Sequence, residues 1–404
     1  MTEAEKRKLR DEIYLKNRIL AEGIAFEPDI FRHLALGVEY TERVHCMFSR
    51  DKHWHSGVEF PDYFLTPEGN YWVRIHWNTD SPLSLRYEDG QYNVYDGGKA
   101  VFEKVGFPRR PAYYRLNTSD GTAMRTVAVD AGYGALIVAY SNECSLKDKG
   151  LDCLFCNINA TKAAYGEAQG IGWKTPRQAG ESVAAAYREG FDHVTVSGGF
   201  IAERRELEYY LDVAEAVREH TGLEDFNGTA DIGAPLDFSV LEKYKAVGYR
   251  TIATNLEIWN EKLFGVICPG KARLCGGWRN CLAALDEELR VFGKHRVRSS
   301  LVSGIEPKAS LLEGVEYLAE RGVLPVLRLW NVAIGSRLEG HRTPAHDWHW
   351  DVYEKTAALY KKHGFSWEEM KSASVFTHFV PFDLFRLEAG IEAKEPAQAR
   401  QTAA

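Results

Sequence analysis

Three cysteines lie close together in this chain of 404 residues. Cys144, Cys153 and Cys156 have the spacing C-x8-C-x2-C, and they follow an apolar run that predicts a β-strand. Thiolates are soft ligands that bind iron–sulfur clusters or zinc. Three of them can bind three irons of a [4Fe–4S] cluster and leave the fourth iron open, whereas a structural zinc site normally has four protein ligands. We therefore favour a cluster, with zinc and unliganded thiols as the alternatives.

The pattern of apolar runs after residue 133 predicts the elements that position these cysteines. Parallel strands are predicted at 135–140, 193–197, 225–229, 251–255, 297–302 and 324–329. Helices are predicted at 176–189, 203–219, 239–246, 278–292, 310–320 and 350–362, several of them followed by glycine. Six such units predict an α/β fold, a full or partial TIM-type barrel of (βα)6 to (βα)8, with its active site in the loops after the strands. The alternative is a doubly wound open sheet, which the lack of a glycine-rich turn after the first strand disfavours.

The rest of the chain predicts additions on either side of the barrel. Residues 1–130 begin with a charged amphipathic helix and continue with short aromatic pieces around an Asp-Gly step, which predicts an α+β extension with a small antiparallel sheet. We expect the barrel core at 131–340, an aromatic segment that caps it at 341–390, and a disordered tail at 391–404.

Composition restricts the class of protein. A net charge of -7 and a sequence pI of about 6.0, without a basic tract, argue against binding to nucleic acid or a membrane surface. No apolar run approaches the ~18 residues that span a bilayer, and the charged N-terminus is unlike a signal peptide. Seven cysteines, an odd number, are unlike a secreted disulfide framework. A cytoplasmic protein is expected.

The cysteine loop and the barrel pattern together resemble the radical S-adenosylmethionine (SAM) superfamily, in particular its biotin-synthase-like members, over about residues 133 to 335. The usual motif of that superfamily is C-x3-C-x2-C, so the first gap is longer here. Phe155 occupies the aromatic position before the last cysteine. The resemblance implies that Cys144, Cys153 and Cys156 bind one [4Fe–4S] cluster and that Phe155 packs near the SAM adenine.

The resemblance also assigns SAM contacts at the ends of later strands, namely Ser197, Gly198, Gly199, Asn255, Glu257, Arg273 and Val302. The Ser-Gly-Gly segment is similar to a motif whose backbone binds the SAM amino group, although Phe200 stands where an acidic residue is usual. Asn255 and Glu257 are similar to an Asn-Leu-Asp element that contacts SAM and its ribose. Arg273, with Lys271 as the other local candidate, would pair with the SAM carboxylate. A common turn, a helix cap and a buried strand are the ordinary structural explanations of these patterns.

The implied function is that of a radical SAM enzyme. Reductive cleavage of SAM would give a 5′-deoxyadenosyl radical, which would abstract hydrogen from a small-molecule substrate, in cofactor or natural-product biosynthesis. Arg328 and Asn331, at the end of the last predicted strand, are candidates for substrate binding, and a flavodoxin or ferredoxin would supply the electron. The alternatives are a TIM-barrel lyase or hydrolase with zinc at the same cysteines, or a non-enzymatic iron–sulfur or zinc scaffold.

The sequence leaves further metal sites open, as it does the substrate, the net reaction, the fate of SAM and the oligomeric state. Two sets of residues have the chemistry of metal ligands without a recognisable spacing. These are the group His45, Cys46, His53 and His55, and the group Cys268, Cys275 and Cys281.

Overall fold

The computed structural model describes residues 1–39, 60–67, 71–140, 144–158, 172–331, 336–374 and 379–391. Its helices are α1 (Glu3–Glu22), α2 (Ser145–Asp148), α3 (Pro176–Tyr187), α4 (Glu203–Thr221), α5 (Val240–Ala246), α6 (Glu261–Ile267), α7 (Pro269–Leu274), α8 (Gly277–Phe292), α9 (Lys308–Arg321), α10 (His346–Lys362), α11 (Trp367–Ala373) and α12 (Val380–Ala389). Its strands are β1 (Tyr63–Leu65), β2 (Trp72–Arg74), β3 (Leu83–Glu88), β4 (Gln91–Asp96), β5 (Lys99–Phe102), β6 (Ala128–Asp130), β7 (Ala135–Ala139), β8 (His193–Ser197), β9 (Gly228–Ile232), β10 (Tyr249–Thr254), β11 (Val297–Ser303) and β12 (Val323–Leu329). None of the described helices is long and apolar enough to cross a membrane.

The central sheet is a partial barrel. Its seven strands run in the order β12-β11-β10-β9-β8-β7-β6; β7 to β12 are parallel, and β6 pairs with β7 in the antiparallel direction. In the pairings of the described residues β6 and β12 do not meet, so the sheet is curled but open. This confirms the predicted α/β fold with a (βα) barrel of six parallel strands and an α+β extension.

The strand β9 differs from its prediction. It covers Gly228–Ile232, three residues later than the predicted run at 225–229. The aromatic ring of Phe226 packs directly over Gly228, where a Cβ atom would lie only 2.0 Å from the ring. Phe226 therefore precedes the strand and is not part of it. Asn227, between Phe226 and Gly228, has a positive φ of 52°, so regular strand geometry begins only after it. The shift moves Asp231 into the strand.

Inward-facing side chains at the amino ends of the strands close one end of the barrel. Thr229 and Thr251 both donate hydrogen bonds to the carbonyl oxygen of Ser372 in α11, at 3.1 and 2.9 Å. His193 lies against Thr229 and Thr195 and is fully buried. Helix α11 therefore covers this end, and the functional chemistry is left to the carboxyl ends of the strands.

The N-terminal extension has its own hydrophobic core, which α1 joins to that of the barrel. The antiparallel sheet β3-β4-β5 turns at Asp89 and Gly90, both with positive φ, as the Asp-Gly signal predicts. Ile13 of α1 packs in the barrel core, whereas Leu15 and Ile19 pack in the core of the extension. One helix is thus shared by both cores.

A buried ionic cluster fastens α1 to α12. The carboxylate of Asp383 accepts from Lys16 at 2.7 Å and from Arg386 at 2.6 Å, and all three side chains are at most 2% exposed. Arg386 also donates to the hydroxyl of Tyr133 at 3.2 Å. Buried charges of this kind are tolerated because each has a partner. The cluster fixes the start of α12 beside the open end of the barrel.

Candidate active site

A cavity of about 330 Å³ opens among the carboxyl ends of the parallel strands. It contains all three clustered cysteines, and twelve of the thirteen site residues predicted from the sequence line it; Arg273 does not. The lining residues among the predictions are Cys144, Cys153, Phe155, Cys156, Ser197, Gly198, Gly199, Asn255, Glu257, Val302, Arg328 and Asn331. Residues that lie up to 187 positions apart in sequence therefore meet in one place.

The long first gap of the cysteine motif folds as a short helical turn. Cys144 precedes α2, whose Leu146 is buried at 2% exposure, while residues 148–150 are exposed, as the polar sequence predicts. The loop is fixed at both ends: the amide of Ser145 donates to the carbonyl oxygen of Phe200 at 2.9 Å, and that of Leu154 donates to the carbonyl oxygen of Ile267 at 2.8 Å. Residues 148–150 thus extend into solvent, whereas Leu146 lines the cavity together with the three thiols.

The three thiols differ in their electrostatic surroundings. Burial raises the pKa of Cys144 and raises that of Cys156 to about 12. The pKa of Cys153 is lowered, first by a hydrogen bond with the thiol of Cys268 and then by the ammonium group of Lys271. Cys153 is therefore the thiol most easily converted to the thiolate that binds metal.

The three clustered thiols line the same cavity. In the described part of the chain, no three side chains of His, Cys, Asp or Glu converge closely enough to hold one metal ion. A cubane cluster binds each thiolate through a different iron, so its ligands surround a cavity and do not converge on one point. Of the other candidate metal ligands, Cys275 and Cys281 also line the cavity. The group His45, Cys46, His53 and His55 lies outside the described residues.

Asp231 organises the polar side of the cavity. Its carboxylate accepts from Ser197 Oγ at 3.2 Å, from Asn255 Nδ2 at 2.9 Å and from Arg298 Nη2 at 2.8 Å. Arg298 is fully buried, and the Asp231 side chain is 7% exposed. Four neighbouring strands are thereby linked through one carboxylate. Asp231 and Arg298 are site residues that the sequence analysis missed.

Glu257 and Lys271 form a second polar pair at the cavity. Lys271 Nζ donates to Glu257 Oε1 and to the carbonyl oxygen of Asn255, both at 2.8 Å. Burial alone would lower the pKa of Lys271, but the Glu257 carboxylate and the neighbouring thiols hold it well above its ordinary value. Glu257 has a positive φ of 66°, a strained backbone conformation that is concentrated at functional sites.

Arg273 does not reach this pair. It is exposed, and it is absent from the cavity wall, whereas Lys271 and Cys275 both line the cavity. The reason is helical geometry, because side chains four residues apart share one face of a helix and Arg273 lies between them on another. Lys271, the other local candidate, is the basic residue that the structure brings to the site.

The Gly-Gly segment after β8 is required by a close aromatic contact. A Cβ atom at Gly198 would lie 2.0 Å from the ring of Tyr140, whose hydroxyl donates to the carbonyl oxygen of Gly199. The backbone of both glycines therefore borders the cavity directly. Glu206 of α4, which is 5% exposed and accepts from the amide of Gly233, also lines it.

The wall on the other side is mainly apolar and comes from distant parts of the chain. The extension contributes Leu20, Tyr63 and Arg74; the last strand and the C-terminal helices contribute Leu327, Leu329, Trp330, Tyr353, Phe379, Val380 and Pro381. Among the described residues, two arginines line the cavity, Arg74 and Arg328. No local sequence pattern indicates Leu20, Tyr63 or Arg74, because their approach to the cavity depends on how the extension packs.

No family model matches the chain. The chain is 26% identical over 265 residues to the bacteriochlorophyllide c C-7(1)-hydroxylase of Chlorobaculum limnaeum, and the match covers 61% of the chain and 64% of that protein. The chain therefore spans less than two thirds of the length of the curated relative that it matches.

Solved structures show distant likenesses. They include methylornithine synthase (TM-score 0.45, 12% identity, 67% of this chain and 78% of that one). The FeFe-hydrogenase maturase of Carboxydothermus hydrogenoformans has a TM-score of 0.43 with 14% identity, over 59% of this chain and 55% of that one. Coproporphyrinogen III oxidase of Escherichia coli, a radical SAM enzyme, has a TM-score of 0.38 with 12% identity, over 60% of this chain and 56% of that one.

The structure thus combines a curled parallel sheet, three thiols on the loop after its first parallel strand and a cavity at the strand ends. The sequence is similar to that of the bacteriochlorophyllide c C-7(1)-hydroxylase over 265 residues, and the barrel fold expected from the sequence is the one observed.

Proposed function

We propose that Cys144, Cys153 and Cys156 hold one [4Fe–4S] cluster and that the cavity binds SAM against it. The observation that carries this proposal is the meeting of the three thiols with the polar strand ends in one cavity at the carboxyl edge of the sheet. When bound, the reduced cluster supplies the electron that cleaves SAM to methionine and the 5′-deoxyadenosyl radical.

The residues around the cysteines have distinct roles in this proposal. The exposed backbone at Gly198 and Gly199 binds the amino group of SAM, and Lys271, in place of Arg273, binds its carboxylate. Asn255 and Glu257 contact the ribose, and the arrangement Ser197–Asp231–Arg298 keeps Asn255 in position. Phe155 and Val302 contact the adenine.

The apolar wall is the substrate side of the cavity in this proposal. Its residues exclude water from a reactive radical, while Arg74, Arg328 and Asn331 offer donors to an anionic group. The similarity to a hydroxylase that acts on a bacteriochlorophyllide supports a large, apolar macrocycle of the tetrapyrrole class as the substrate. The extension and α12 then shape the substrate site together.

The proposal includes an electron donor and a location. The electron comes from a flavodoxin- or ferredoxin-type protein, which reduces the proposed cluster. A cytoplasmic location is consistent with the six described cysteines, all of which are free thiols.

The deciding experiment is anaerobic reconstitution with iron and sulfide, followed by dithionite and SAM and quantification of 5′-deoxyadenosine. We expect the product with the wild-type protein and with Cys281→Ala, whose thiol is buried and lines the cavity outside the triad. We expect none with Cys156→Ala. Adding a tetrapyrrole carboxylate should then increase 5′-deoxyadenosine formation and consume the macrocycle. A colourless protein with tightly bound zinc would refute the proposal and favour the zinc barrel.

A further inference from the structure

Helices α6 and α7 separate the cysteine loop from solvent on one side of the barrel rim. The amide of Leu154 donates to the carbonyl oxygen of Ile267, at the end of α6, at 2.8 Å. Gly270 of α7 lies so close that a Cβ atom there would be 2.4 Å from the carbonyl oxygen of Leu151. Cys268, at the junction of the two helices, lies beside the thiol of Cys153. No other layer therefore lies between this helix pair and the loop.

The outer face of the same pair is apolar at its centre. Val266 is 61% exposed and Leu274 is 37% exposed. Leu236 is 62% exposed and lies near the end of α7, to which it is connected through Asn280. Asn280 donates to the carbonyl oxygen of Pro235, the residue before Leu236, at 3.0 Å and to that of Cys275 at 3.1 Å. Three of the eight large hydrophobic side chains exposed in the described part of the chain thus lie around one rim of the barrel. Exposed apolar groups that cluster in this way mark interaction surfaces.

Exposed basic side chains outnumber exposed acidic ones in these segments, although the chain as a whole carries -7. The basic residues are Lys149, Lys262, Arg273 and Arg279, and the acidic residues are Asp148, Asp237 and Glu261. Lys262 is exposed one helical turn before Val266, and Lys149 is exposed on the adjoining cysteine loop. Arg279, at the start of α8, is 84% exposed and pairs with Glu261 at 3.2 Å. An acidic protein is repelled by the net charge of this chain but attracted to this face, which orients its approach.

We propose that the exposed face formed by α6, α7 and the start of α8 docks an acidic protein that carries single electrons. The proposal rests on the proposed cluster at the cysteine loop. One electron passes from the reduced carrier to the oxidised cluster, so the carrier is oxidised by one electron and no bond is made or broken. Docking here places the carrier against the two helices that contact Cys153 and its loop.

The test uses the reconstituted protein and reduced flavodoxin as the probe, with cluster reduction followed by stopped-flow absorbance at several salt concentrations. The variant Lys262→Glu/Arg279→Glu reverses two charges of the face. We expect its second-order rate at low salt to fall at least about tenfold, within the range that electrostatic steering provides, and its salt dependence to weaken. Val266→Asp tests the apolar centre separately and should also slow the reaction with flavodoxin.

The matched control is Lys361→Glu/Lys362→Glu at the end of α10, since it also reverses two exposed charges and breaks one exposed ion pair, that of Lys362 with Glu316. Dithionite, a small reductant, should support 5′-deoxyadenosine formation equally in all four proteins. Wild-type rates for the α6–α8 variants, or an equal loss in the control, would overturn the docking proposal. Failure of the wild-type protein to cleave SAM with dithionite would instead overturn the proposed function.

Discussion

The Asp231–Arg298 pair provides a quantitative test of the site's architecture. Replacing Asp231 by alanine leaves the guanidinium of Arg298, which is 0% exposed, without its carboxylate, and also removes the acceptor of Ser197 and Asn255. Removing one partner of a buried ion pair costs about 3–5 kcal/mol. The same strand region offers an internal comparison, because Asp225 pairs with Arg250 at 2.6 Å on the surface, where the side chains are 55% and 35% exposed. Exposed pairs contribute about 0–1 kcal/mol.

Urea unfolding of Asp231→Ala, Asp225→Ala and wild-type protein measures the difference. We expect Asp231→Ala to lose about 3–5 kcal/mol and Asp225→Ala less than about 1 kcal/mol. The double variant Asp231→Ala/Arg298→Met should recover part of the loss, because it removes the uncompensated charge. Equal losses in the two single variants, or no recovery in the double variant, would refute the argument that Arg298 depends on Asp231.

Two further variants test local features of the fold. Gly198→Ala places a Cβ atom 2.0 Å from the Tyr140 ring, so we expect it to lower the free energy of unfolding in urea by about 1–3 kcal/mol and to weaken SAM binding in equilibrium dialysis. The control Gly265→Ala adds its Cβ atom in open space and should lose no stability. Equal behaviour of the two variants would contradict the contact. Burial raises the pKa of Glu288 from its ordinary value of 4.5 to about 8. The folded state therefore binds more protons than the unfolded state between those pH values, and stability should fall as pH rises from 4.5 to 8. Glu288→Gln should reduce this fall, and an unchanged pH profile of the urea midpoint would contradict the assignment.

The strands of the barrel could be predicted because parallel strands buried on both faces are continuous apolar runs. The strand β7 covers Ala135–Ala139 against a predicted 135–140, and β12 covers Val323–Leu329 against 324–329. Where the local pattern misled, the cause was a single aromatic residue: Phe226 continued the apolar run but packs over Gly228. That error moved the predicted strand end away from Asp231, so the residue at the centre of the polar network was missed.

Side-chain direction is a second limit of prediction from the sequence. Arg273 was preferred over Lys271 because a guanidinium group can form two hydrogen bonds with one carboxylate. Which of the two side chains reaches the cavity depends instead on where α7 begins, at Pro269. Leu20, Tyr63 and Arg74 reach the site only because α1 shares both cores and is fastened to α12 by Lys16 and Asp383. Such long-range packing leaves no periodic signal in the local sequence.

The acidic residue that is absent after the Gly-Gly segment illustrates the same principle. Phe200 occupies that position in the sequence, and its carbonyl oxygen fixes the cysteine loop through Ser145. A carboxylate is nevertheless present in the cavity wall, supplied by Glu206 from the first turns of α4 and held against the amide of Gly233 at the end of β9. The following helix thus brings a carboxylate to the cavity, although the position directly after the Gly-Gly segment is occupied by phenylalanine. The chemistry of this cavity is accordingly better judged from the side chains that meet there than from the contiguous pattern alone.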